Sequence, residues 1–148
     1  MARMDTALIF APVAVWVYIM KRDDTSFPKA VLAGVAGLAP FVLWELFATF
    51  YFGFPFPNPA YVKLGTGISQ IEYLKRGILY IIYTGLNDTG VILITAVSVV
   101  LCILAKRSKY LALSIGIILY LAYIIRIGGD FMMGRHFTVI FFIAVCMF

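Results

Sequence analysis

Long apolar stretches follow one another along this chain with only a few charged residues between them, and that pattern leaves little option but a bundle of membrane helices. Residues 6–20, 30–52, 90–105 and 110–126 each form such a run, and residues 137–148 begin another. A run of about 20 apolar residues, at 1.5 Å per helical residue, matches the roughly 30 Å hydrocarbon core of a bilayer. Composition agrees, because 64% of the residues are hydrophobic and only 13% are charged, where soluble domains carry about 25% charged residues. The expected fold is all-α: a single polytopic transmembrane domain of about four full spans, one truncated span and one interfacial helix.

The links between the runs orient them. The segment holding Lys21, Arg22 and Lys29 and the one holding Lys106, Arg107 and Lys109 are short and basic, which assigns both to the cytoplasmic side. Counting spans then puts Asp5, the loop 53–70 and the segment 128–136 together on the outer face. Basic residues divide evenly between the two faces, so the orientation rests on their density in two short loops. Residues 71–86 mix Glu72, Lys75 and Arg76 with Ile, Leu and Tyr, which fits an amphipathic helix lying along the interface. Pro55, Pro57 and Pro59 make the preceding loop too stiff to continue a helix and hold Asn58, Tyr61 and Lys63 in it. In the second run, Ala33, Gly34, Ala36 and Gly37 would admit a close helix neighbour. Glu45, about seven residues from that run's outer end, lies roughly 10 Å deep, and a pairing with Arg126 or with a further helix would shelter it. The final run offers only about 12 residues, roughly 18 Å, so the chain is expected to be a piece of a longer protein.

One polar cluster stands out between two apolar runs. In GGDFMMGRHF, Gly128 and Gly129 stop the fifth helical segment, and Asp130, Arg135 and His136, the only histidine, follow before the last run starts. Ionisable groups at a membrane edge mark a site, an ion path or a structural ion pair. Gly128, Gly129 and Gly134 serve either as helix stops or as points of close backbone approach. Arg3 and Asp5 are near enough in sequence to pair with each other. Cys102 and Cys146 sit in apolar runs without a CxxC spacing, and Asp5, Asp88 and Asp130 are isolated carboxylates. No metal or cofactor constellation is visible, so a divalent cation is compatible with these residues but unsupported. The net charge of +5 is spread over the loops and gives no nucleic-acid footprint.

YFGFPFPNPAYVKLGTG resembles the YYG-x-PxPNT-x-YAK-x-G loop, and IGGDFMMGR resembles the GGDFM-x-GR loop, of GT-C type polytopic membrane glycosyltransferases. ARMDTALIF is similar to the RPD/RPE step that precedes a span in the same proteins. Within the superfamily the nearest likeness is to the terminal arabinofuranosyltransferases of actinobacteria and their bacterial relatives. The three matches occur in the family's order and extend over most of the chain. Pro59 departs from the family's Thr, and His136 stands where an apolar or aromatic residue is common.

The resemblance implies a polyprenyl-phosphate sugar as donor, a cell-envelope glycan or lipid as acceptor, and a site on the outer face of a bacterial cytoplasmic membrane. Such transfer needs a cation on the leaving phosphate and a carboxylate to take the acceptor's proton. Arg135, with a planar fork for phosphate oxygens, is the expected phosphate ligand, with Lys63 as a more flexible point charge. Asp130 would bind sugar hydroxyls or orient Arg135, and Asn58, Tyr61 and His136 would line the substrate. The family's catalytic carboxylate lies upstream of the matched segments, so its counterpart is expected in a missing N-terminal part, and this chain alone is expected to be inactive. Membrane lipids and the missing N-terminal and C-terminal parts of the same enzyme would be its other partners, and nucleic acid would not. Two other readings remain open at this stage: a transporter or channel section with Glu45, Asp130 and Arg135 along an ion path, and a noncatalytic helical scaffold.

Overall fold

The structure is a computed structural model that describes residues 4–23, 26–53, 67–106, 108–130, 132 and 134–147. Among these residues the fold is all helical. A short 3-10 turn, Met4–Thr6, leads into α1 (Ala7–Met20), followed by α2 (Phe27–Phe52), α3 (Gln70–Asn87), α4 (Thr89–Leu104), α5 (Ser108–Arg126) and α6 (Phe137–Met147). The chain divides into two bodies, residues 1–2 and 18–68 in one, residues 3–17 and 69–148 in the other.

The first body is dominated by α2. Pro28 sits in its opening turn, where a missing N–H costs nothing, so the helix starts at Phe27, ahead of the apolar run proper. It ends where Gly53 turns left-handed (φ 75°) and donates its N–H to Thr49 O at 2.9 Å. None of its residues is buried. Gly34 and Gly37, expected to admit a close neighbour, face open space, and Glu45 is half-buried.

In the second body local signals set the helix limits. Ser69 caps α3 by accepting the Glu72 N–H at 3.4 Å, and Glu72 in turn pairs with Arg76 one turn on, also at 3.4 Å. Asp88 leaves helical geometry, and α4 departs from α3 at a bend of 109°. Gly77, Tyr80 and Thr84 are the buried residues of α3; their spacing of three and four defines one helical stripe, flanked by the half-exposed pair Glu72 and Arg76. The stretch expected to form a helix does so, and it meets α4 at the sharp bend.

Close packing occurs at glycines that the sequence reading did not single out. A Cβ on Gly77 would run into the backbone of Ile125, and one on Gly116 into the backbone of Ile9, so α3 and α1 each lie directly against α5. Ile9, Tyr80, Ile117, Tyr120, Ile124, Phe137 and Ile140 form the core between them. Two buried hydroxyls are satisfied within a helix or across helices: Thr84 donates to Tyr80 O and Ser98 to Ala144 O, each at 2.8 Å. Cys102 is buried and Cys146 exposed, both as free thiols.

Span lengths correct the expected count. With 26 and 19 residues, α2 and α5 reach roughly 39 Å and 28 Å, enough to cross. The 14 residues of α1 and 16 of α4 reach only about 21 Å and 24 Å, and α6 is shorter still. By length and composition, two helices qualify as membrane spans, or three if the bent α3–α4 pair is one broken span. This is consistent with a membrane protein and is fewer than the four full spans anticipated from hydropathy runs alone.

Candidate functional site

The segment after α5 is shaped by two left-handed glycines. Gly128 and Gly129 have φ near 77° and 73°, a region open to glycine at no steric cost. Their N–H groups turn back onto Ile125 O (3.2 Å) and Ile124 O (3.0 Å), closing the last turn of the helix. Both also press against α3: a Cβ on Gly128 would lie 2.8 Å from the Tyr73 ring, and one on Gly129 2.6 Å from the Tyr80 ring. Helix stop and close approach, offered by the sequence as alternatives, are combined here. Gly134 is left-handed too, but faces open space.

This geometry returns the chain over the end of the bundle and gathers four ionisable groups. The Arg135 guanidinium stands 3.6 Å from the Asp130 carboxylate. The same carboxylate oxygen, Oδ2, lies 3.7 Å from Nε2 of His136, and the other ring nitrogen, Nδ1, lies 3.5 Å from Oδ2 of Asp5. Tyr120, fully buried on α5, places its hydroxyl 3.1 Å from Asp5 Oδ2 and 3.4 Å from His136 Nδ1. Tyr80 reaches in from α3, accepting the His136 backbone N–H at 3.4 Å and donating to Met132 O at 3.3 Å. Its ring meets the imidazole edge-on and stacks on Phe137.

The separations sit at the long end of ion-pair reach, and the exposures run in order. Side-chain accessibility is 54% for Arg135, 15% for Asp130, 7% for His136 and 10% for Asp5. One cation therefore faces outward while the two carboxylates and the imidazole lie behind it. Such an arrangement can present a guanidinium to an anion at the surface and keep its counter-charge out of water.

Asp130, Arg135 and His136, predicted together, are together, on a turn shaped by Gly128 and Gly129. Asn58, Tyr61 and Lys63, as well as Arg3, lie outside the described residues. Asp5 contacts Tyr120 and His136, and its expected pairing with Arg3 falls on a residue outside the described ones. Tyr80 and Tyr120 were missed. A tyrosine inside an apolar helix needs a partner for its hydroxyl, and Tyr120, close in sequence to the polar segment, carried that signal. Glu45 and Arg126 belong to different bodies; the Arg126 carbonyl accepts the Gln70 side chain at 3.1 Å. Among the described residues no group of three His, Cys, Asp or Glu side chains is arranged to hold a metal ion. Comparison of the chain with protein-family models, curated proteins and solved structures gives no match.

Proposed function

We propose that this chain is part of a GT-C type membrane glycosyltransferase that moves a sugar from a polyprenyl-phosphate donor to a cell-envelope glycan or lipid at the outer face of a bacterial cytoplasmic membrane. The observation that carries the reading is Arg135: a half-exposed guanidinium backed by a largely buried carboxylate, on the segment that resembles the family's GGDFM-x-GR loop. In this reading Arg135 grips the donor phosphate as negative charge develops on it. Asp130 orients Arg135, and the loop carrying Asn58, Tyr61 and Lys63 contributes to sugar binding. In this reading α2 and α5 cross the bilayer.

Donor binding is the direct test. With the chain in lipid nanodiscs, a radiolabelled polyprenyl-phosphate sugar should bind saturably, and Arg135→Ala should weaken it at least about ten-fold, the loss expected for a charge-assisted contact. Binding that is indifferent to Arg135→Ala would sink the reading. The transporter reading separates from it in liposomes, where ion flux abolished by Asp130→Asn is required.

A further inference from the structure

We propose that the end of the second body away from His136 binds an anionic glycerophospholipid, with one acyl chain in the cavity between α4, α5 and α6 and the phosphate against Lys106 and Lys109. This site is separate from Arg135 and does not rest on the reading given to that residue.

The cavity is built where three helices come to an end. Ser98, Leu101, Cys102 and Ala105 line it from the last two turns of α4 and the residue after them, Tyr110 from the first turn of α5, and Met147 from the end of α6, around a half-open space of about 220 Å³. The Ser98 hydroxyl is already given to Ala144 O, so the walls offer mainly hydrocarbon and sulfur. A run of methylene groups suits such walls, whereas a sugar or a nucleotide would lose hydrogen bonds on entering.

Two cations belong to the same corner. Lys106 directly follows the lining residue Ala105, and the Lys109 ammonium lies over the ring of the lining residue Tyr110, 4.8 Å from its centroid, within cation–π reach. Lys106 also holds a left-handed backbone (φ 51°) that glycine would adopt at less cost. Among the described residues neither lysine meets a carboxylate. The sequence has no Asp or Glu between Thr89 and Gly129, and Asp130 follows the opposite end of α5, about 28 Å of helix away.

Depth in the membrane joins the two observations. Helix α5 is long and apolar enough to cross a bilayer, so its first turn, with Lys109 and Tyr110, falls at a headgroup layer, where tyrosine and basic side chains anchor helices. A basic pocket between helices at that level recognises a phosphate headgroup. A neutral lipid would fill the cavity and leave the lysines uncompensated, and free phosphate would meet the lysines and leave the cavity empty. A lipid that joins an acyl chain to a phosphate satisfies both.

Native mass spectrometry of the full chain released from detergent counts the lipid retained. The probes are phosphatidylglycerol and phosphatidylcholine with the same two acyl chains, and glycerol phosphate, which has the anion without the chains. Phosphatidylglycerol should be retained at least about 10-fold better than phosphatidylcholine, as expected for two lysines at a headgroup, and glycerol phosphate should not displace it. Lys106→Gln with Lys109→Gln should remove the preference. Ala105→Phe, which fills the cavity and keeps both lysines, should weaken phosphatidylglycerol retention by about 5-fold or more through overpacking. Lys21→Gln with Lys29→Gln, an equal loss of charge in the first body, should leave retention unchanged. All four lysines are exposed, so neither pair of changes disturbs packing, and circular dichroism checks the helix content of each variant. No preference for phosphatidylglycerol, or an equal loss of it from the two lysine pairs, overturns the site in favour of general charge attraction. Retention indifferent to Ala105→Phe overturns the seat of the acyl chain. Displacement by glycerol phosphate overturns the lipid in favour of a free phosphate ligand, and a lipid-free dimer abolished by Ala105→Phe overturns it in favour of a second copy of the chain.

Discussion

Helix α2 and the cluster around His136 meet the membrane problem in opposite ways. The helix is the longest among the described residues, apolar apart from Lys29, Glu45 and Thr49, and buries none of its residues. Its apolar side chains find in lipid tails neighbours as good as a leucine. The cluster places four ionisable side chains and two tyrosine hydroxyls in one region, three of the ionisable side chains at 15% accessibility or less, where each needs its neighbours. Mutational sensitivity should therefore concentrate in the body that holds residues 69–148, even though α2 is the longest helix that qualifies as a span. Hydropathy reports where a helix can reside; it says little about what fixes its position against others.

The sharpest way to break that comparison is at the glycine contacts. Gly77→Val adds atoms where a Cβ alone would already collide with the Ile125 backbone, and backbone cannot rotate aside as a side chain can. Separation of α3 from α5 should cost about 3 kcal/mol or more, read as loss of the folded fraction in a detergent unfolding titration followed by circular dichroism. Gly129→Ala comes next. It combines a left-handed backbone (φ 73°) with a contact to the Tyr80 ring, and about 2 kcal/mol of destabilisation is expected by the same measurement. Near-wild-type stability in both variants would mean that α3 and the 128–136 turn are not seated on each other as described.

The sequence disclosed these features unevenly, for physical reasons. Helix limits were legible where they follow from local chemistry: the Gly128–Gly129 stop and the ends of the apolar runs. The proximity of Asp130 to Arg135 and His136 was legible because a short glycine-bounded turn can hardly separate them. The hydrogen bond from Tyr120 to Asp5 joins residues 115 positions apart, and no periodicity encodes it. Small residues are used unevenly for a related reason. Gly34 and Gly37 sit in the run richest in small side chains but face open space, while the contacts fall at the isolated Gly77 and Gly116. Whether a small residue is used depends on what lies opposite it. The span count came out high because the runs at 6–20 and 90–105, already short of a full crossing in the sequence, form helices of only 14 and 16 residues.

Hydroxyl deletions provide a finer scale within the second body. Tyr120→Phe removes the proton given to Asp5 at 3.1 Å and keeps the ring in the core, so about 1.5 kcal/mol should be lost, the range of a hydrogen bond to a charged group. Ser98→Ala breaks a neutral bond to Ala144 O at 2.8 Å between α4 and α6 and should cost about 1 kcal/mol. Tyr83→Phe, at a residue 53% exposed, is the control. An equal loss from Tyr83→Phe and Tyr120→Phe would show that the buried hydroxyl has no special partner, and the order of the two regions would lose its basis.

The smallest effect is expected in α2, and it is informative because it is small. Gly34→Ala adds a methyl group where nothing lies within 4 Å, so stability should change by less than about 0.5 kcal/mol, as for substitutions remote from packing. The same methyl group at Gly77 meets backbone. Measured side by side in the full chain in nanodiscs, the pair isolates local packing from composition, since both are glycines in helices changed to the same residue. If Gly34→Ala proved as costly as Gly77→Ala, α2 would have to be held against another helix through its small-residue face, and its hydropathy would no longer account for its stability without a partner.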